Sequence, residues 1–515
     1  MEPIIEFKNY SFKYNSQVEP TLRDIDLAVY PGEKILIIGP SGSGKSTLAN
    51  CINGLVPFSY AGDSTGELYI GGKKPEDLGI FGLSKTVGTV LQDTDGQFIG
   101  LTVAEDIAFV LENDCMEEEK MHKRVDAIAE IVDVKNLLHH APGELSGGQK
   151  QRVSMAGVMI DDVDILLFDE PLANLDPATG KRAIALIDSI QKEQNKTILI
   201  IEHRLEDALY KDVDRIVVVG DGTIVADMTP DELLSGDILK QQGIREPLYV
   251  TALKHAGCEI AAKDHPAHVE TMDFAPYQAK VQDWFASAAH PLKEKRKEQV
   301  LAVEHLSFAY DDKHPILHDI DFSVQKGEML SIVGKNGAGK TTLSNLICGF
   351  YEPSEGRILL DGQDISPLSI KERGERIGLV MQNPNQMISK AMIYEEVALG
   401  LAVRGVPEEE IKERVYETLK ICGVYPFRNW PISALSFGQK KRVSIASILV
   451  MNPEIMILDE PTAGQDYHHY TEIMEFLKRV NEEYGTTIIM ITHDSEIASH
   501  AQRVIHIRDG QIAEQ

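Results

Sequence analysis

Two stretches of this chain carry residues whose types and spacing can hold a polyphosphate. Gly39-Pro40-Ser41-Gly42-Ser43-Gly44-Lys45-Ser46-Thr47 has the spacing Gly-x-x-x-x-Gly-Lys-Ser, and Gly334-Lys335-Asn336-Gly337-Ala338-Gly339-Lys340-Thr341-Thr342 repeats it with threonine in the last motif position. Glycines let the backbone wrap an anion, so that successive N–H groups point inward and the next helix begins with its positive end there. Lys45 and Lys340 are placed to reach the β- and γ-phosphates, and Ser46 and Thr341 to ligate Mg²⁺. Each copy follows an apolar run (34–38 and 329–333) and precedes an apolar helical start. A glycine turn of purely structural use would not need that context.

Paired acids supply the second element. Asp169-Glu170-Pro171 follows Ile165-Leu166-Leu167-Phe168, and Asp459-Glu460-Pro461 follows Ile455-Met456-Ile457-Leu458. An aspartate at the end of a buried strand suits water-mediated contact with Mg²⁺. A glutamate one residue later can orient and polarise an attacking water. The chemistry is that of phosphoryl transfer to water.

These residues lie on one domain written twice. Leu145-Ser146-Gly147-Gly148-Gln149-Lys150-Gln151-Arg152 recurs as Leu435-Ser436-Phe437-Gly438-Gln439-Lys440-Lys441-Arg442, and Glu202-His203 answers Thr492-His493. The serines, aspartates and histidines are each 290 positions apart, and the loop lysines 295. In each half a β-rich start (4–12; 300–308) leads into the glycine loop, a charged helical stretch follows (116–134; 407–422), and apolar runs end in the acids. Continuous apolar strands between helical patterns predict a parallel sheet covered on both faces. The expected division is 1–240, a linker with some helix over 241–298, and 299–515. The basic run Lys293 to Lys297 in that linker reads as a solvated tether.

Composition excludes several classes. Lys+Arg is 51 against 80 Asp+Glu, a formal charge of −29, which disfavours broad contact with nucleic acid or anionic lipid. No apolar run approaches the ~20 residues of a spanning helix. The first residues lack the pattern of a signal peptide. Five scattered cysteines without a Cys-x-x-Cys pair read as reduced thiols of a cytosolic protein. The pairs His139-His140 and His468-His469 are awkward metal ligands, because adjacent helical residues do not share a face.

Over nearly its whole length the chain resembles two ATP-binding-cassette nucleotide-binding domains fused in tandem. The family's signature, LSGGQ, is matched fully by Leu145 to Gln149 and with one change, Phe437, by Leu435 to Gln439. The resemblance implies an α/β fold of the P-loop type, each half having a parallel-sheet core, an antiparallel β subdomain and a helical subdomain. It implies that Gln92 and Gln382 sense the γ-phosphate and Mg²⁺, that Asp176 and Asp466 belong to the loop after the acids, and that His203 and His493 contact the γ-phosphate. Tyr14 and Tyr310 match the aromatic that stacks on adenine, with Tyr10 a competing candidate for Tyr14. It further implies an intramolecular pseudo-dimer with two composite sites. One joins Lys45, Gln92, Glu170 and His203 to Ser436 and Gly438; the other joins Lys340, Gln382, Glu460 and His493 to Ser146 and Gly148; Gln149 and Gln439 are further ATP-binding residues that the resemblance implies. A φ > 0 at Phe437 would be strained by ~1–2 kcal/mol.

Within that family, the segments Gln92 to Phe98 with Thr102 to Phe109, Gln382 to Gln386 with Glu395 to Ala398, and Pro247 to Val250 look like those of energy-coupling-factor importers. These imply ATP hydrolysis that drives import of a vitamin or metal ion, a membrane scaffold and a membrane substrate binder as partners, no nucleic acid, and a cytoplasmic position on the inner face of the membrane. Fused sugar-importer ATPases are the nearest competitor. The alternative from another class, a soluble tandem ATPase acting on ribosomes, would be expected to carry a longer basic connector or clustered cysteines.

Overall fold

A computed structural model describes the chain except residues 1, 16, 92–94, 146, 173–174, 176, 288–297, 311–314, 436, 463–466 and 514–515. The chain divides into two compact units, 1–289 with 466–468 and 290–465 with 469–515.

The strands of the first unit are β1 (Ile5–Tyr14), β2 (Leu22–Val29), β3 (Lys34–Ile38), β4 (Gly62–Ile70), β5 (Val87–Val90), β6 (Ile165–Asp169), β7 (Thr197–Ile201), β8 (Arg215–Gly220) and β9 (Thr223–Met228). Six form a sheet in the order β5-β6-β7-β3-β8-β9, parallel except for β9 at its edge. The period-2 geometry of a strand explains why the apolar runs are continuous. Ile35 and Ile37 enter the core beneath one face with Leu167, Leu199 and Val217. Leu36 and Ile38 enter the core on the other face with Phe168, Ile200 and Val218. A polar residue at any of these places would face a core on either side.

The other three strands make an antiparallel sheet, β2-β1-β4. Its inward residues change phase within β1, from Ile5 and Phe7 to Tyr10 and Phe12. Asn9, with φ 46°, marks the bulge where the β1–β4 register shifts between Lys8 and Ser11. A bulge of one residue moves every later side chain to the opposite face. Tyr14 therefore lies on the face of Phe12.

The second unit repeats this plan with β10 (Gln299–Ala309), β11 (Pro315–Gln325), β12 (Met329–Val333), β13 (Glu355–Leu360), β14 (Gln363–Asp364), β15 (Ile377–Val380), β16 (Ile455–Asp459), β17 (Thr487–Thr492), β18 (Arg503–Arg508) and β19 (Gln511–Ile512). The sheet order β15-β16-β17-β12-β18-β19 matches the first, beside an antiparallel sheet β11-β10-β13-β14. His305, at φ 50°, takes the place of Asn9 as the bulge.

Helices Val103–Asn113, Glu118–Ile131 and Gly147–Met159 form the helical part of the first half, and Ile393–Val403, Glu408–Ile421 and Phe437–Leu449 that of the second. Thr102 caps the first of these in a reciprocal box with Glu105, as its Thr-x-x-Glu spacing predicts. In the stretch between the repeated halves, the structure places helices Leu248–His255 and Gln278–Ser287 around a small core of Val250, Leu253, Cys258, Ile260, Met272 and Tyr277. That core is fastened to the rest of the first unit by Leu248 N–H donating to Glu206 (3.0 Å) and by His268 Nε2 against Asp212 (2.8 Å). Among the described residues no helix is long and apolar enough to cross a membrane.

Candidate functional site

Strands β6, β7 and β3 are neighbours in the first sheet, and the loops at their carboxyl ends carry the acids, the histidine and the glycine loop. Carboxyl ends of parallel strands are where open α/β sheets bind ligands. After β3 the chain turns through Gly39, where a Cβ would lie 2.2 Å from the Val219 carbonyl, and enters the helix Lys45–Asn53 through Gly44 at φ 106°. Neither position admits a side chain without strain. Lys45 is buried and donates to the carbonyls of Gly39 (2.8 Å) and Pro40 (2.9 Å). In the second half Gly334 and Gly339 play the same parts, and Lys340 donates to Gly334 (2.7 Å) and Lys335 (2.9 Å).

The acids sit at the ends of β6 and β16. Burial, with Glu170 beside it, pushes Asp169 up to about 6, and its buried Oδ1 has no hydrogen-bond partner. Asp459 is likewise raised by burial; its Oδ2 accepts from the Thr341 hydroxyl at 3.0 Å. An orphaned buried carboxylate oxygen, and a hydroxyl already against a carboxylate, fit the oxygen donors that Mg²⁺ takes. Glu170 and Glu460 both adopt the left-handed backbone, φ 50° and 45°. Such strain in a non-glycine residue gathers at functional sites, and here it recurs at the same residue of both halves. His203 Nε2 meets Glu170 Oε1 at 2.9 Å, and His493 Nδ1 meets Glu460 Oε1 at 2.7 Å.

Tyr14 Oη lies 3.1 Å from Thr47 Oγ1, and Tyr310 Oη lies 3.1 Å from Thr342 Oγ1. Each ring packs edge-on against the phenylalanine two residues earlier (Phe12, 4.9 Å; Phe308, 5.0 Å). Tyr10 is buried against Phe7 instead. Of the two aromatics, Tyr14 is the one at the glycine-loop helix.

Gln382 is exposed just after β15. Gly148 and Gln149 lie in the first turn of the helix Gly147–Met159, and Gly438 and Gln439 in that of Phe437–Leu449. Phe437 opens its helix as Gly147 opens the other, and helical backbone does not require glycine. Ser41, Gly42, Asn336 and Gly337 lie in the two glycine loops. Gln92, Ser146, Ser436, Asp176 and Asp466 fall outside the described residues.

Several buried polar groups beside the motifs escaped the sequence reading. Glu202 is buried and accepts N–H bonds from Leu172 (2.6 Å), His203 (2.9 Å) and Arg204 (3.2 Å); burial pushes its carboxyl up to about 7. Thr492 takes that place in the second half and donates to Glu460 Oε2 at 3.2 Å. Gln151 donates to the Pro171 carbonyl, whereas its counterpart Lys441, brought down to about 8 by burial, donates to Met381 and Gln382. Their only sequence signal was a mismatch between the repeats.

A glycine loop, a strand-end acid pair and a histidine on three adjacent strands define a P-loop ATPase domain, present twice. Comparison with known proteins agrees. The family model described as ABC transporter matches residues 22–173 and 317–463, and one described as ATP-binding cassette cobalt transporter matches 236–308. An ABC transporter ATP-binding protein of Clostridium perfringens is 58% identical over 509 residues, covering 99% of this chain and 89% of that protein. Another, of Enterococcus faecalis, is 58% identical over 514 residues, covering 99% and 90%. A solved structure, cbiO1 from Clostridium perfringens, described as part of the ABC transporter complex cbiONQ, is 40% identical with a TM-score of 0.41, covering 42% of this chain and 88% of that one. The chain belongs to the ATP-binding proteins of ABC transporters, and it is an ATPase.

Proposed function

We propose that this ATPase energises import of a small solute of the vitamin or metal-ion class through separate membrane subunits, a scaffold and a substrate binder, from the inner face of the membrane. The observation that carries the hydrolytic part is the strained glutamate in contact with a histidine at the end of the central sheet, repeated in both halves. The import class is supported by the match of residues 236–308 to a model described as a cobalt transporter. The named relatives favour transport over work on ribosomes.

In each half the loop N–H groups and Lys45 or Lys340 hold the phosphates, and Tyr14 or Tyr310 flanks the base. Glu170 or Glu460 orients the attacking water by accepting its hydrogen bond, and His203 or His493 holds that carboxylate. Ser46, Gln92 and Asp169, and Thr341, Gln382 and Asp459, would hold Mg²⁺, which supplies charge neutralisation on the phosphates. The protein's share is positioning and fixed charge, since the transfer needs little covalent help. Co-purification from membranes tests the transport reading: integral membrane subunits are expected, and ribosomal particles in their place would overturn it.

A further inference from the structure

Lys441 is the fifth residue of the helix Phe437–Leu449 and is 1% exposed. Lysine is almost never buried so fully unless its ammonium is provided with partners. Here the partners are three main-chain carbonyls: Met381 at 2.8 Å, Gln382 at 2.9 Å and Glu460 at 3.5 Å. The first two belong to the segment after β15 and the third to the turn after β16. One cation therefore ties the helix that follows the signature serine to both the glutamine segment and the acid turn.

The N-terminal half shows that the fold does not need a lysine there. Gln151 occupies the equivalent place, is also buried, and joins its helix to the Pro171 carbonyl. A planar amide offers two donors in one direction, whereas an ammonium offers three that diverge. Lysine keeps its charge at this position against the penalty of leaving water, which a well-packed neutral residue would avoid. The gain must lie in what the three bonds hold.

We propose that Lys441 is a positioning residue for ATP hydrolysis in the C-terminal half, fixing the backbone that carries Gln382 relative to the backbone that carries Glu460. A shift of the helix Phe437–Leu449 then moves the glutamine and the acid together. The inference rests on the reading of Gln382 and Glu460 as hydrolytic residues.

The test is steady-state ATP hydrolysis by the full chain carrying Lys441→Gln, which the other half shows can be packed, and Lys441→Met, which removes all three donors. Expected is a C-terminal half slowed about tenfold in Lys441→Met, the scale of a small misplacement of reacting groups, so that the whole-chain kcat falls nearly as far as in Glu460→Gln, and less in Lys441→Gln, with the KM for ATP held within about twofold. The kcat is referred to folded protein by measuring the Tm of each variant. A merely structural role would lower Tm and leave the kcat of the folded fraction at the wild-type value in both variants, and that result overturns the proposal. Glu460→Gln, assayed alongside, separates the two levels. Wild-type activity there defeats the assignment of Glu460 itself, whereas an impaired Glu460→Gln beside fully active Lys441 variants defeats only the tether.

Discussion

The two halves carry the same candidate hydrolytic residues, yet the polar groups behind them are wired differently. Behind Glu460, Thr492 donates to one carboxylate oxygen (3.2 Å) while His493 meets the other (2.7 Å), and Lys441 lies against the main-chain carbonyl. Behind Glu170, the residue in Thr492's place is Glu202, an acid that cannot donate when ionised. It turns instead to the N–H of Leu172, and Arg204 donates to the carbonyls of Leu172 (3.0 Å) and Leu175 (2.7 Å). The second half adds a hydroxyl to the histidine that holds its glutamate; the first half has the histidine on Glu170 with an acid in place of that hydroxyl, and braces the segment that follows. The candidate site residues recur in both halves while the polar groups behind them differ, so the halves are expected to hydrolyse ATP unequally.

The largest effect expected is common to both halves. Lys45→Ala combined with Lys340→Ala should lower hydrolysis by at least ~10²-fold, the scale of losing one preorganised charge-stabilising group, and should abolish solute uptake. Undiminished uptake at normal expression would remove the chain from the role of motor. The next variant separates the halves. Thr492→Val keeps the shape and deletes the hydroxyl that Glu460 accepts from, a loss of about 1 kcal/mol or roughly fivefold in the rate of that half. An unchanged rate would mean that the hydroxyl does not brace the glutamate.

Glu202 allows a comparison by pH. Its carboxyl is held at about 7 in the folded chain against an ordinary value of 4.5. The folded state therefore binds a proton that the unfolded state has released. The stability this gives is complete below pH 4.5 and is lost as pH rises through about 7. Wild type should lose Tm relative to Glu202→Gln between about pH 5 and about pH 8, and parallel curves would show that Glu202 titrates normally. The smallest effect is expected at the tyrosines. Tyr14→Phe keeps the ring and removes only the bond to Thr47, so the KM for ATP should change by no more than about threefold, whereas Tyr14→Ala should raise it further. Equal effects of the two would deny the ring a role.

The glycine loops, acids and histidines were legible because each is a short pattern with a fixed backbone reason, and the repeat confirmed their order. The parallel sheet was legible because its strands are apolar on both faces. Tyr14 stood with Tyr10 as a competitor because the two lie on the same face of β1, and only the fold shows that the strand's end brings Tyr14 to Thr47 while Tyr10 packs against Phe7. Lys441 and Glu202 were invisible for a different reason. A charged residue beside a motif reads as solvated, and only the packed fold shows that each is buried and what it holds. The residues 248–287 gave weak periodicity because a six-residue core needs few apolar positions.

The hydrolytic role of both strained glutamates is tested most directly by measuring ATP hydrolysis of Glu170→Gln, Glu460→Gln and the double variant against wild type. Each single variant should be slower by its own factor, and the double variant should fall by ~10²–10⁴-fold, the range for loss of a positioned base. A double variant that still hydrolyses ATP at the wild-type rate would contradict the assignment in both halves at once.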